Sequence, residues 1–279
     1  MMLAEALSAA VCSRRCALDE KERLSKGAFT PFLTIAGLMD SLQYSLITTD
    51  YLTVFREGVR APLRGLTSSR QVLNKRLDGF VEAEPVMALY AEGNTLQFRS
   101  IDHWKLPVQD FLSHHARFPG AETLASAYVV PPRARPMDAH SEGAHLFILQ
   151  LDGRQDVLMG DPGAHAVESP AYLPFDGMPT RSFALEPGDL LHVPHGWPHR
   201  SETADEASLH LALSVRYPGT EQIVTALNAF LLEGIESSSG FLAHHRIPPR
   251  EKSQQVLTLL ADLLTGIDPA EIARRAEAQ

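Results

Sequence analysis

Between residues 122 and 217 the chain is a succession of short β-branched or aromatic runs, each cut off by Gly or Pro before it could build an ordinary helix. The runs are ASAYVV, HLFILQL, RQDVLM, SFAL, DLLHVP and SLHLALSV, with turns at Asp152-Gly153, Asp161-Pro162-Gly163 and Pro187-Gly188-Asp189. Six strands so closely spaced leave no room for crossover helices, which predicts an antiparallel sandwich or barrel rather than a βαβ sheet. The expected fold class is therefore mainly β with flanking helices, built on a jelly roll.

The flanks read differently. Residues 1–95 are expected to be mixed and mostly helical, from the apolar spacing of Leu33, Ile35, Leu38 and Leu42 ahead of the strand-like run LITTDYLTVF. A helix is predicted between Pro107 and Ala116. After Tyr217-Pro218-Gly219, residues 218–279 become helical again: Ile223, Leu227, Phe230 and Leu231 share one face, and Val256, Leu257, Leu260, Leu263 and Leu264 share another. Such segments are too short to bury both faces alone, so a small C-terminal helical subdomain is expected, with homodimerisation through it as a hypothesis.

Charge and cysteine content narrow the function classes. A net charge of -9, from 34 acidic against 25 basic side chains in 279 residues, offers no continuous positive surface, so direct nucleic-acid binding is not expected. The two cysteines, Cys12 and Cys16, are too few for a disulfide framework and read as ordinary helix positions, which fits a cytoplasmic setting. The apolar stretch Leu3–Val11 contains Glu5 and falls far short of the roughly 20 residues of a membrane span, so no membrane association is expected.

Two separated patches carry the chemistry. In Asp138-Ala139-His140-Ser141-Glu142, alternation along an extended strand puts His140 and Glu142 on one face, about 7 Å apart along the backbone. In the second, Glu186 through His199, the turn at Pro194-His195-Gly196 redirects the chain so that His199 opens the next strand. Two imidazoles and one carboxylate make a facial triad, the donor set that leaves open positions on non-haem Fe(II), whereas a structural zinc site would be closed by four ligands. H-x-E alone is unspecific. The spacing of Gly188, Pro194, Gly196 and His199 is much more so, since it reproduces the second cupin motif.

With GNTLQFRSIDHW, ASAYVVPP, DAHSEGAHLFILQLDGR, LEPGDLLHVPHGWPHRSE and SLHLALSV in this order, the chain from about Leu33 to Tyr217 resembles JmjC-type oxygenases of the ribosomal-oxygenase, or cupin-4, branch. The resemblance implies a double-stranded β-helix core over 96–217, Fe(II) on His140, Glu142 and His199, and 2-oxoglutarate and dioxygen as cosubstrates. It also implies hydroxylation of an amino-acid side chain in a protein, a peptide or a free amino acid. Relatives in this branch more often have Asp where Glu142 stands. Tyr128, Gln155 and Ser214 fall at positions that contact the 2-oxoglutarate carboxylate, but at Gln155 the family has Lys or Arg. A neutral amide cannot form that ion pair, and the nearby cations Arg154, Arg216 and Lys105 could replace it only with altered geometry. Two other readings stay open for this reason: a cupin metalloenzyme that does not use 2-oxoglutarate, and a non-catalytic metal-binding cupin. His192, His195 and His210 read as packing or surface residues, and His145 as close enough to line the pocket.

Overall fold

Strand pairing across the middle of the chain decides the architecture. The computed structural model describes residues 24–44, 46–62, 65–116, 118–162, 171–172, 175, 177–238 and 247–278. Its strands are β1 (Leu24–Ser25), β2 (Leu52–Arg56), β3 (Val59–Arg60), β4 (Thr67–Val72), β5 (Lys75–Val81), β6 (Thr95–Arg99), β7 (Glu122–Val130), β8 (His140–Ser141), β9 (His145–Gly153), β10 (Gln155–Gly160), β11 (Ala171–Tyr172), β12 (Thr180–Leu185), β13 (Leu190–Val193), β14 (His199–Glu202) and β15 (Ser208–Arg216). Helices α1 (Ile35–Met39), α2 (Ala83–Ala91) and α3 (Leu106–His115) precede β7, and α4 (Thr220–Ser237), α5 (Pro249–Thr265) and α6 (Pro269–Glu277) follow β15. Cys12, Cys16 and the Leu3–Val11 stretch lie outside the described residues.

An eight-stranded sheet, ordered β1-β13-β9-β15-β7-β6-β2-β3, and a five-stranded sheet, ordered β11-β8-β14-β10-β12, form the jelly roll. Alternation sets its interior. Leu146 and Ile148 of β9, Leu191 and Val193 of β13, and Ala212 of β15 meet Val157 and Met159 of β10 and Phe183 and Leu185 of β12 in one buried cluster. Full burial of each large apolar side chain contributes about 1.5–3 kcal/mol. The opposite face of β9 carries Phe147, Leu149 and Leu151, also buried, so both faces of this strand are covered and its sequence is a nearly continuous apolar run.

The second patch holds the fold as well as the site. Gly188 has φ +97°, and a Cβ there would lie 2.8 Å from the Phe29 carbonyl oxygen, so only glycine fits this turn. Next to it, buried Asp189 accepts from Lys26 Nζ at 2.7 Å, Gly27 N–H at 3.0 Å and Glu186 N–H at 2.9 Å, tying β1 to the turn before β13.

The expectation that residues 1–95 are mostly helical is corrected over the described part, where strands β1 to β5 outweigh α1, α2 and one 3-10 turn. β2 pairs antiparallel with β6, and β6 with β7, so this region extends the large sheet. The polar hairpin β4–β5 has little apolar alternation to announce it, and its identity comes from backbone pairing.

Residues up to Phe118 with Thr123–Val215 form one compact unit, and Pro119–Glu122 with Arg216–Gln279 form the other. Within the second, Ala226, Ile272 and Ala276 make a thin core flanked by Ile223, Leu227, Phe230 and Ile267. Asp268 caps α6 by accepting from Ala270 N–H at 2.9 Å, and Arg275 pairs with Glu233 and Glu271 at 2.8 Å each. Helix α5 buries no residue, and Leu257 stands 66% exposed.

Candidate metal centre

β8 is short because the chain must turn to bring His140 beside the start of β14. In the five-stranded sheet His140 and His199 are register partners, and His199 also lies opposite Met159 of β10. The Pro194–Trp197 turn closes through Trp197 N–H to the Pro194 carbonyl at 3.1 Å, and Gly196 N–H donates to the Glu142 carbonyl at 2.9 Å. The turn is thus fastened to the backbone of the residue whose carboxylate shares the site with His199.

His140, Glu142 and His199 each offer one donor atom, all within 4.8 Å of one another, the one such cluster among the described residues. His140 Nε2 is 3.9 Å from Glu142 Oε1, and the two imidazole centroids are 4.5 Å apart. The backbone sets the tautomers. His140 Nδ1 faces the Asp138 carbonyl at 2.9 Å and His199 Nδ1 faces the Trp197 carbonyl at 3.3 Å. A carbonyl only accepts, so each Nδ1 carries the proton and each Nε2 is left with a lone pair, the arrangement a ligating histidine requires. Ser214 on β15 donates to Glu142 Oε2 at 3.1 Å, fixing the carboxylate from the opposite sheet.

The electrostatics match a cation-shaped gap. Burial pushes the His199 pKa down to about 4, helped by the nearby His140 charge. For His140 of the metal-free protein burial pulls downward, but the Glu142 carboxylate 3.9 Å away and the hydrogen bond to the Asp138 carbonyl leave it raised. Burial opposes ionisation of Glu142, yet the neighbouring His140 and His199 imidazoles and the Ser214 hydroxyl hold its carboxyl below its ordinary value. With two nitrogens and a carboxylate on one side, the site could hold a divalent ion and leave other coordination positions open.

Beside these donors lies a cavity of about 30 Å³ lined by Tyr128, Met137, Leu146, Ile148, Ser201, His210 and Ala212. The Tyr128 hydroxyl accepts from Gln97 Nε2 at 2.8 Å, and burial raises the phenol pKa strongly. Gln155, 1% exposed, lies on the interior face of β10 and donates from Nε2 to Gln150 Oε1 at 2.9 Å; it is not part of the cavity wall. Two of the three cations named in its place are engaged elsewhere, Lys105 with Gly37 O and Ser41 Oγ and Arg154 with Glu186 at 3.9 Å, and the third, Arg216, is exposed and outside the cavity wall. His145 sits on the other face of β9, with Nδ1 3.2 Å from His192 Nε2, because the lining residues of that strand are the even-numbered Leu146 and Ile148. His210, read from the sequence as packing, is in the wall; counting back by twos from Ser214 through Ala212 reaches it.

Comparison with known proteins agrees with this geometry. Residues 95–223 match the JmjC domain family. Human ribosomal oxygenase 1 is 30% identical over 190 residues, covering 63% of this chain and 29% of that one. Rat ribosomal oxygenase 2 is 30% identical over 124 residues, covering 43% and 27%. Over residues 95–223 the chain is similar to JmjC domains. It spans under a third of the length of these curated relatives. A similar fold is seen in a structure of YcfD, a ribosomal oxygenase from Escherichia coli, in complex with cobalt and 2-oxoglutarate, which superposes with a TM-score of 0.56 at 17% identity over 88% of this chain and 64% of that one. His140, Glu142 and His199 all lie within the matched residues 95–223.

Proposed function

We propose that the protein is an Fe(II)- and 2-oxoglutarate-dependent oxygenase that hydroxylates an amino-acid side chain of a protein, peptide or free amino acid. The observation that carries this reading is the triad itself: His140, Glu142 and His199 converge with both imidazoles held in the ligating tautomer by main-chain carbonyls, next to an interior cavity. The E. coli ribosomal oxygenase of similar fold has been seen with cobalt and 2-oxoglutarate, which supports the cosubstrate. Bound iron would supply the oxidation of the target carbon with dioxygen while the keto acid is decarboxylated to succinate.

The protein's own groups place and shield that chemistry. Ser214 keeps Glu142 oriented, and Met137, Leu146, Ile148 and Ala212 keep the cavity dry. In chemistry the donors suit a metal and the oxygens of a keto acid. In volume the cavity has room for little more than a water or two. A five-carbon acid therefore enters by displacing lining side chains, of which the unbranched, half-buried Met137 is the most adaptable.

Three further points belong to the same proposal. A cytoplasmic setting is part of the proposal, and no described helix is long and apolar enough to cross a membrane. The excess of acidic side chains favours a cationic protein target. The exposed leucines of α5 support a homodimer through the helical unit, and a monomeric mass by sedimentation would contradict it.

The test is succinate formation by the iron-loaded chain in 2-oxoglutarate and air, with gain of one oxygen atom in a basic ribosomal protein or peptide target. Metal-dependent turnover without 2-oxoglutarate would favour a cupin of other chemistry, which Gln155 in place of a cation keeps in view.

A further inference from the structure

The inner end of the barrel has polar groups that neither the fold nor the metal triad uses. His210 and Gln150 are register partners on β15 and β9, and Gln150 donates from Nε2 to the carbonyls of Asp152 at 2.8 Å and Gly153 at 3.0 Å. Because carbonyls only accept, the Gln150 amide has one orientation, and its Oε1 takes the Nε2 of Gln155. The atom left over on Gln155 is its oxygen, buried and without a hydrogen-bond partner among the described residues. At the position where the resemblance places a cation, this chain therefore has no donor to spare for a carboxylate.

Donors exist a short way off. His210 is 6% exposed, lines the cavity, and has a buried Nδ1 with no partner among the described residues. Its ring stacks on that of Tyr128 with centroids 5.0 Å apart and planes inclined by 10°. The Tyr128 oxygen already accepts from Gln97, so its own O–H remains to be donated. Among the described residues no lysine or arginine lines the cavity. A buried, unpartnered ring nitrogen is costly to maintain unless a ligand completes it.

We infer that His210 and the Tyr128 hydroxyl together form the seat for the far carboxylate of the keto acid, two neutral donors standing where relatives use a fixed cation. This rests on the oxygenase reading above and assigns His210 as a cosubstrate-binding residue. The stacked pair presents both donors from adjacent strands of one sheet, while Gln155 closes the network behind them with Gln150 and Ser208.

The experiment compares two acids on the anaerobic Fe(II) protein by calorimetry: 2-oxoglutarate, and 2-oxopentanoate, which has the same chain length with a methyl group in place of the far carboxylate. The wild type is expected to prefer 2-oxoglutarate by at least about tenfold, the worth of a hydrogen bond to a charged group. His210→Leu is expected to abolish that preference while leaving 2-oxopentanoate binding within about twofold. Gln155→Lys in the same background should restore it. Tyr128→Phe, nearly isosteric, serves if the leucine variant does not fold, and should lose part of the preference. A wild type that binds both acids equally, or a His210→Leu protein that keeps the full preference, overturns the assignment. A metal-loaded wild type that binds neither acid overturns the oxygenase reading and this assignment with it.

Discussion

The jelly roll and the C-terminal helical unit solve the same burial problem to different degrees. In the first, both faces of β9 are covered and the side chains of two sheets interlock around the triad. In the second, two alanines and one isoleucine are the buried residues among those described, and α5 leaves Leu257 and Leu264 exposed. A site that must hold three donor atoms to within tenths of an ångström belongs on the rigid part. A surface that retains apolar side chains is suited to a partner.

The largest expected effect tests that rigidity. Gly153, at φ +60° between β9 and β10, has the Ala207 carbonyl oxygen where a Cβ would sit, so Gly153→Ala should destabilise the barrel by at least about 3 kcal/mol in denaturant unfolding. Stability within about 0.5 kcal/mol of wild type would mean that the β9–β10 turn is as tolerant as an ordinary surface site. Next in size, His199→Ala should weaken divalent metal binding by more than about 100-fold, since even the outer partners of metal ligands are worth 10- to 100-fold. Ser214→Ala, which frees Glu142 Oε2 without touching a ligand, should weaken it by about tenfold in the same titration.

Acid sharpens the contrast. Burial, with the His199 charge, holds the His210 pKa at about 3, whereas an unfolded histidine titrates near 6.5. Between those values the unfolded chain binds a proton that the native chain does not, so stability rises with pH across this window and is lost as pH falls through it. In the metal-free protein His199, at about 4, adds a second contribution of the same sign. His210→Gln should therefore reduce the slope of stability against pH between 4 and 6 by up to about 1.4 kcal/mol per pH unit, leaving the His199 part. An unchanged slope would show that His210 is protonated in the native barrel. The smallest effect lies in the helical unit, where Arg275→Ala removes solvent-screened ion pairs to Glu233 and Glu271 and should leave the denaturant-unfolding midpoint nearly unchanged.

The same contrast describes what could be read in advance. The strand runs ASAYVV, HLFILQL and SLHLALSV announce themselves because alternation and Gly/Pro punctuation are local, and they became β7, β9 and β15. The convergence of His140, Glu142 and His199 also follows from local rules, a spacing of two along one strand and a turn that starts the next. What escaped depends on pairing between distant segments. The contribution of β2 and β6 to the large sheet is fixed by hydrogen bonds across long sequence separations, and β4–β5 is too polar to signal. The placement of His210 on the interior face of β15 was legible, since Ser214 and His210 differ by four and share a face. The unpartnered state of His210 Nδ1 was not, because it depends on which groups the other strands bring to that depth.

The account stands on the claim that His140, Glu142 and His199 hold one divalent ion with open positions. Anaerobic titration of the folded chain with Fe(II), followed by 2-oxoglutarate, tests it most directly through the metal-to-ligand charge-transfer band. The account predicts one ion per chain, a saturable band, and loss of both in a folded His199→Ala protein. A folded wild-type chain that binds no stoichiometric iron, or a His199→Ala chain that binds it equally well and gives the same band, would contradict it.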